Sequence, residues 1–249
     1  MSTGRPTVVM LHVGRCGSTV VADMLGRHPM ISWDGEVFEP KVRAKIGFDE
    51  MPPEDFLLDR IERAEHVYGF ELKYLPSHHQ LNLGRDLAGI IDLTERVEVS
   101  HYVTLHRHNY LRRVVSGAIG RERRRWHRAS QEPVPETKVH LNPNSVPFGP
   151  RKPLLAAFEE MKTGESALRD VLEGRHGLHL SYEDHVERDP SVAYELICDL
   201  IGVEPGDIDS RLARTGAAPL SAVLANFDEI AEHLTGTEYE WMLDKQTAS

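Results

Sequence analysis

The sequence predicts an α/β fold: a central parallel sheet with helices on both faces, in a three-layer αβα arrangement. Three observations predict it. Short runs rich in β-branched and apolar residues alternate with segments of helical period almost from end to end. The first of these runs leads directly into a glycine turn and then a helix, the opening of a parallel unit. The runs are also apolar at successive positions, as strands buried on both faces are.

Thr7 to Val13 (TVVMLHV) is the first predicted strand. Gly14 to Ser18 breaks it, and Thr19 to Arg27 carries Val20, Val21, Met24 and Leu25 at helical spacing, with a stop at His28-Pro29. Pro52 to Ala64 follows as a helix, with Phe56, Leu57 and Ile61 on one side. Val67 to Leu75 (VYGFELKYL) is a second strand, Leu81 to Leu93 a helix, and Val99 to Leu105 a third strand ending in His106-Arg107. Asn109 can cap a long helix reaching about Arg128. Six prolines, at 133, 135, 143, 147, 150 and 153, mark residues 129–153 as an extended loop or lid. Leu154 to Leu172 returns to helix, His176 to Ser181 is a fourth strand, and Asp189-Pro190 starts a helix ending near Gly202. Leu220 to Leu243 is mostly helical, with a break at Gly236.

The chain has 249 residues, of which 40% are hydrophobic, enough for one core. We read residues 1–249 as a single domain with the proline-rich stretch inserted in it. The net charge of −10, from 29 basic and 39 acidic residues, disfavours a general nucleic-acid binder. No stretch approaches the roughly 20 apolar residues of a membrane span. The short polar start is not a signal peptide. The two cysteines, Cys16 and Cys198, do not make a spaced metal-ligand set. A reduced, cytoplasmic protein without structural zinc is the expectation.

The turn after the first strand reads His12-Val13-Gly14-Arg15-Cys16-Gly17-Ser18-Thr19. Gly14 and Gly17 let the backbone turn tightly and approach a ligand. The amides of Gly17, Ser18 and Thr19 fall at a helix N-terminus, where donors and dipole favour an anion of phosphate size. Two hydroxyls and the Arg15 guanidinium add donors, and a tight turn with no ligand is the competing reading. Ser18 stands where a Walker loop has its lysine and His12 where it has its first glycine, so this is not an ATPase loop.

A second cluster follows the third strand. Residues 107–128 hold eight arginines against one acid, Glu122, inside a strongly acidic protein. Arg107 at the strand end and Ser116 on the following helix are nine residues apart and suit a second anion. Arg121, Arg123, Arg124, Arg125 and Arg128 fit a solvated basic face.

In these features the sequence resembles the sulfotransferases that use 3′-phosphoadenosine-5′-phosphosulfate (PAPS), in particular bacterial carbohydrate and glycolipid members. GRCGST is similar to their 5′-phosphosulfate loop, with Arg15 in place of the usual lysine or arginine, and LHRHNYLRRVVSG is similar to their 3′-phosphate motif. Leu180 to Asp184, Ile201-Gly202-Val203, Pro219-Leu220 with Asn226, and Leu234 to Thr237 resemble later segments of the same group. The resemblance implies a P-loop-like fold, PAPS as co-substrate with 3′-phosphoadenosine-5′-phosphate (PAP) as product, no metal, and a small-molecule, carbohydrate or lipid acceptor. Oligomeric state is open in the sequence, a homodimer being one expectation.

The resemblance also implies roles. Gly14, Arg15, Cys16, Gly17, Ser18 and Thr19 would cradle the phosphosulfate, and Arg107 and Ser116 would hold the 3′-phosphate. Arg15 and Lys73 would offset charge on the leaving oxygen. Glu36, in WDGEVFEP, is the expected base for the acceptor hydroxyl, with Glu39 next and His12 and His79 as fallbacks. Cys16 reads as a small loop residue. Trp33, Trp126 and the proline-rich loop are candidates for an acceptor pocket. Two other readings stay open: a P-loop kinase, and a nucleotide- or polyanion-binding protein without transfer activity.

Overall fold

The computed structural model describes residues 4–39, 42, 51–123, 137–147, 150–211 and 218–243. Its centre is a five-stranded, all-parallel sheet in the order β2-β3-β1-β4-β5. The strands are β1 (Thr7–His12), β2 (Ile31–Trp33), β3 (Val67–Lys73), β4 (His101–His106) and β5 (Gly177–Ser181). The four longer strands lie within the predicted runs to one or two residues. The three-residue β2 was not predicted, being too short to show a period.

The helices numbered here are α1 (Ser18–Leu25), α2 (Pro53–Arg63), α3 (Leu87–Arg96), α4 (Tyr110–Glu122), α5 (Leu154–Val171), α6 (Pro190–Leu200) and α7 (Phe227–Leu234). Their starts follow local chemistry. The Asp86, Asn109 and Asp189 side chains accept from the backbone amides of Gly89, Arg112 and Ser191 and cap α3, α4 and α6. Pro190 occupies the first turn of α6, where its missing N–H costs nothing. The predicted helix over 81–93 is displaced. Gly84 takes a left-handed conformation (φ 62°) that ends a short turn at Leu81–Leu83, and the Asp86 cap restarts the helix at Leu87. Residues 137–147 and 150–153 form no regular helix or strand, as the prolines predict, and carry only isolated bridges, Val139 to Leu224 and Val146 to Lys152. Trp126 and arginines 124, 125 and 128 lie outside the described residues.

The chain groups into two compact units, Met1–His106 with Gly164–Ser210, and Arg107–Thr163 with Arg211–Ser249. The first holds the whole sheet. On one face Val8, Met10, Val103, Leu105 and Leu180 pack with Val21, Met24 and Leu25 of α1 and Ala193, Ile197 and Cys198 of α6. Val9, Leu11, Phe70 and Leu72 point to the opposite face and are fully buried. On that side Tyr102 bonds Thr94 of α3 at 2.9 Å. Helices thus flank the sheet as a three-layer αβα arrangement requires. In the second unit Tyr110, Phe158 and Tyr239 form an aromatic cluster with ring centroids 5.1–6.4 Å apart. The Tyr239 hydroxyl donates to Glu159 at 2.6 Å. Among the described residues no helix is long and apolar enough to cross a membrane.

The turn between β1 and α1 is the most conformationally demanding part of the first unit. Gly14, Arg15 and Gly17 all have positive φ (74°, 59° and 87°). For Arg15 this is a cost of order 1–3 kcal/mol that the surrounding structure must offset. At Gly17 a Cβ would lie 2.7 Å from Val186 Cγ1 and 3.0 Å from the Tyr182 ring, so dihedral and space both demand glycine. Gly174 also has positive φ (77°) but open space around it. Gly17→Ala is therefore expected to lower stability by about 2 kcal/mol or more, and Gly174→Ala by about 1 kcal/mol, because only the first adds a clash to the strain. Urea unfolding of the two variants against the parent tests the order.

Candidate functional site

The site follows from strand register. His12, the last residue of β1, is the Cα partner of Lys73, the last residue of β3, and Met10 is the partner of Glu71. Side chains alternate along a strand and registered partners share a face. Glu71 and Lys73 therefore project beside Met10 and His12, while Phe70 and Leu72 turn into the opposite core. Gly69 belongs to the polar row. A Cβ there would fall 2.2 Å from the Trp33 ring, so the missing side chain makes room for the indole across β3. Trp33 Nε1 then donates to Glu71 Oε1 at 3.2 Å. Trp33, expected near an acceptor pocket, is thus a hydrogen-bonded neighbour of the polar row.

The segment after β2 brings two more carboxylates to the same place. It stays on β3 for two further residues, with Asp34 N donating to Gly69 O (2.9 Å) and Glu71 N to Gly35 O (2.7 Å). The Asp34 carboxylate accepts two bonds from Arg60 of α2 (2.7 and 2.8 Å) and one from the Tyr68 hydroxyl (2.9 Å). Gly35, at φ 65°, then turns the chain. Val37 and Phe38 are fully buried, and Phe38 meets the rings of Phe56 and His79. This apolar anchor leaves Glu36 and Glu39, on either side of it, facing Lys73.

Lys73 Nζ donates to Glu36 Oε2 in a short contact and to Glu39 Oε1 at 3.0 Å. Its Cε lies 3.5 Å from the place a Cβ on Gly14 would occupy, so the lysine stem runs along the glycine turn. Burial alone would lower the Lys73 pKa, but the Glu36 and Glu39 carboxylates outweigh it and raise it. Glu39 is held well below the usual carboxylate range by His79 and then Lys73, against its own burial.

Two buried histidines complete the cluster, and the backbone fixes how each is protonated. Gly14 N donates to His12 Nδ1 at 3.0 Å, and Lys73 N donates to His79 Nδ1 at 2.9 Å. Each Nδ1 is therefore a lone-pair acceptor, and the ring hydrogen resides on Nε2. His12 Nε2 sits 3.1 Å from Glu71 Oε2 and 3.9 Å from Glu36 Oε1, and His79 Nε2 sits 3.6 Å from Glu39 Oε1. Neither Nε2 closes a well-aligned hydrogen bond. The His79 pKa is lowered, by burial first and also by the Lys73 charge. Burial also opposes a charge on His12, but Cys16 and Glu71 outweigh it and raise its pKa. A second proton on Nδ1 would confront the Gly14 amide with another donor. In this arrangement both Nδ1 lone pairs are taken up by backbone amides, and both Nε2–H groups face carboxylates without a well-aligned bond.

Two triads, His12–Glu36–Glu71 and Glu36–Glu39–His79, bring ligand-type atoms within 4.8 Å of one another. They fit a metal ion poorly. Coordination through Nε2 would push each ring hydrogen onto Nδ1, against a backbone amide, and Lys73 already supplies the positive charge between Glu36 and Glu39.

The structure brings Glu36, Lys73 and Gly14 together, with Glu39 and His12 beside them. Arg15, Gly17 and Thr19 are half-buried on the turn and the first turn of α1. Ser18 is buried, and Cys16 is fully buried in the core under α1, where it also interacts with His12. Arg107 and Ser116 belong to the second unit and are both buried there. In that unit Arg112 donates to Ala218 O (3.1 Å), Arg113 to Met161 Sδ (3.0 Å) and Arg123 to Thr137 Oγ1 (2.9 Å). This part of the arginine run is engaged with the fold. Glu71 and Asp34 were not singled out in the sequence. For Glu71 the signal was available, because GFELK alternates apolar and polar in a strand expected to be buried on both faces. No model of a known protein family matches the chain, and no curated protein matches it.

The pKa directions give a test of the cluster. Glu39, with a depressed pKa, contributes stability that is present above its unfolded pKa near 4.5 and is lost as pH falls toward the folded value. Lys73, with a raised pKa, contributes below its unfolded value near 10.5 and loses that contribution only above it. Glu39→Gln should therefore destabilise at pH 6 and destabilise measurably less at pH 3, where part of the carboxylate's contribution is already lost. Denaturant midpoints at the two pH values measure the difference.

Proposed function

We propose that this chain is a sulfotransferase on a P-loop-like α/β fold, moving the sulfuryl group of PAPS to an acceptor hydroxyl and releasing PAP. The observation that carries the reading is Lys73. Its ammonium lies at the carboxyl end of the sheet, beside the left-handed glycine turn, and holds Glu36 and Glu39. That end of a parallel sheet is where ligands of open α/β folds bind. A turn with three positive-φ residues leading into a helix suits an anion.

The chemistry asks for a cation, a base and a cradle. As the S–O bond to the nucleotide breaks, negative charge grows on the leaving oxygen, and Lys73 and Arg15 offset it electrostatically. Glu36 takes the proton of the attacking hydroxyl as its oxygen bonds to sulfur. In-line attack makes positioning the main demand, as in phosphoryl transfer. Glu39 shares the lysine and keeps its ammonium at the glycine turn. Gly14, Cys16, Gly17, Ser18 and Thr19 form the cradle. The assignment of Arg107 and Ser116 to the 3′-phosphate rests on their sequence motif.

Release of radiolabelled sulfate from PAPS to water, and transfer across a panel of carbohydrate, lipid and small-molecule acceptors, tests the reading. Glu36→Gln should retain PAP affinity and lower both rates by about 10² or more, the typical contribution of a positioned base. Lys73→Met should lower turnover far more than PAP affinity. Unchanged turnover in either variant removes that residue from the mechanism.

Arg107→Ala is expected to weaken PAP about tenfold or more, the loss of one charge-assisted hydrogen bond of roughly 1.5–3 kcal/mol. It should weaken adenosine 5′-phosphosulfate, which lacks the 3′-phosphate, much less. Calorimetric titration with both nucleotides checks this, and equal losses would refute the 3′-phosphate assignment.

A further inference from the structure

We propose that His12 is a positioning residue that couples the glycine turn to the base: its ring holds the Gly14 amide with Nδ1 and presents Nε2–H to the Glu71 and Glu36 carboxylates. The inference rests on the reading of Glu36 as base and of the turn as the phosphosulfate cradle.

The ring has no access to solvent, and both of its nitrogens are aimed at parts of the site. Nδ1 accepts from the Gly14 amide at 3.0 Å, at the first of the turn's three positive-φ residues. Nε2, with its hydrogen, faces Glu71 Oε2 at 3.1 Å and Glu36 Oε1 at 3.9 Å, and is a buried donor without an aligned acceptor. An unsatisfied buried donor costs free energy that a modest rotation of a neighbouring carboxylate would recover. Glu71 is itself placed for this task. Trp33 Nε1 holds its Oε1, its amide donates to Gly35 O one residue before Glu36, and its Oε2 is left to the imidazole. Lys73 takes the other Glu36 oxygen, Oε2. The base carboxylate is thus approached by a cation on one oxygen and an imidazole N–H on the other, and the imidazole is fixed by the turn that would carry the nucleotide. Filling the cradle would fix Gly14, and with it the ring that faces Glu36.

Two amide substitutions separate the two ends of the ring. In His12→Asn the side-chain oxygen lies near the place of Nδ1, keeping an acceptor for Gly14 and losing the Nε2 donor. In His12→Gln the side-chain NH₂ lies near the place of Nε2, keeping the donor and losing the Nδ1 acceptor. The probes are PAP, for affinity, and PAPS with water as acceptor, for sulfate release across pH. His12→Asn should keep PAP affinity within about threefold, lower saturating sulfate release about tenfold or more, and move the acidic limb of its pH profile. His12→Gln should weaken PAP up to about tenfold, one neutral hydrogen bond to the turn, and lower saturating release clearly less than His12→Asn does. If wild type binds PAP and both variants lose affinity and turnover in the same proportion, or neither changes either quantity, His12 is merely structural and the inference is overturned. Wild type that binds no PAP overturns the functional reading and this inference with it.

Discussion

The ammonium of Lys73 lets carboxylates gather at one end of β3. Glu36 and Glu39 both bind it, and Glu71 lies two residues back along the same strand face. Without that positive charge, like charges a few ångströms apart would repel in partly buried surroundings, where screening is weak. Lys73 is placed by strand register opposite His12 at the end of the central strand, and its stem lies against the glycine turn. The cation, the base candidates and the anion-type turn are therefore adjacent because of one strand pairing.

Much of the first unit is devoted to keeping these groups in place. The Arg60–Asp34–Tyr68 network fixes the chain just before Gly35, and the buried Val37-Phe38 pair fixes it just after. Gly69 gives up a side chain so that Trp33 can reach Glu71. Backbone amides at 14 and 73 set the tautomers of two buried rings. Strained backbone at Arg15 and a buried donor at His12 Nε2 run against stability alone, the pattern expected where structure serves binding or catalysis.

The strand and helix order was legible because it rests on local signals: apolar runs, proline and glycine breaks, and Asp or Asn caps at 86, 109 and 189. The glycine turn was legible for the same reason. Glu36 and Lys73 were singled out through a family resemblance, and their ion pair could not be read from positions 37 residues apart. That contact depends on the β1–β3 register and on β2, a strand of three residues with no periodic signature. Glu71 escaped notice because a lone acidic residue in an apolar run looks incidental until its neighbours on the same face are known. The tautomers of His12 and His79 depend on backbone amides brought to them by the turn and by the residues after β3, which no sequence pattern encodes.

Phosphorus NMR of PAP titrated with the protein tests the central claim, that the turn and Lys73 form one phosphosulfate site. The 5′-phosphate resonance of bound PAP should shift in wild type, and that shift should change in Lys73→Met while the nucleotide still binds. A 5′-phosphate signal unmoved at saturating protein, or one identical in wild type and Lys73→Met, would contradict it.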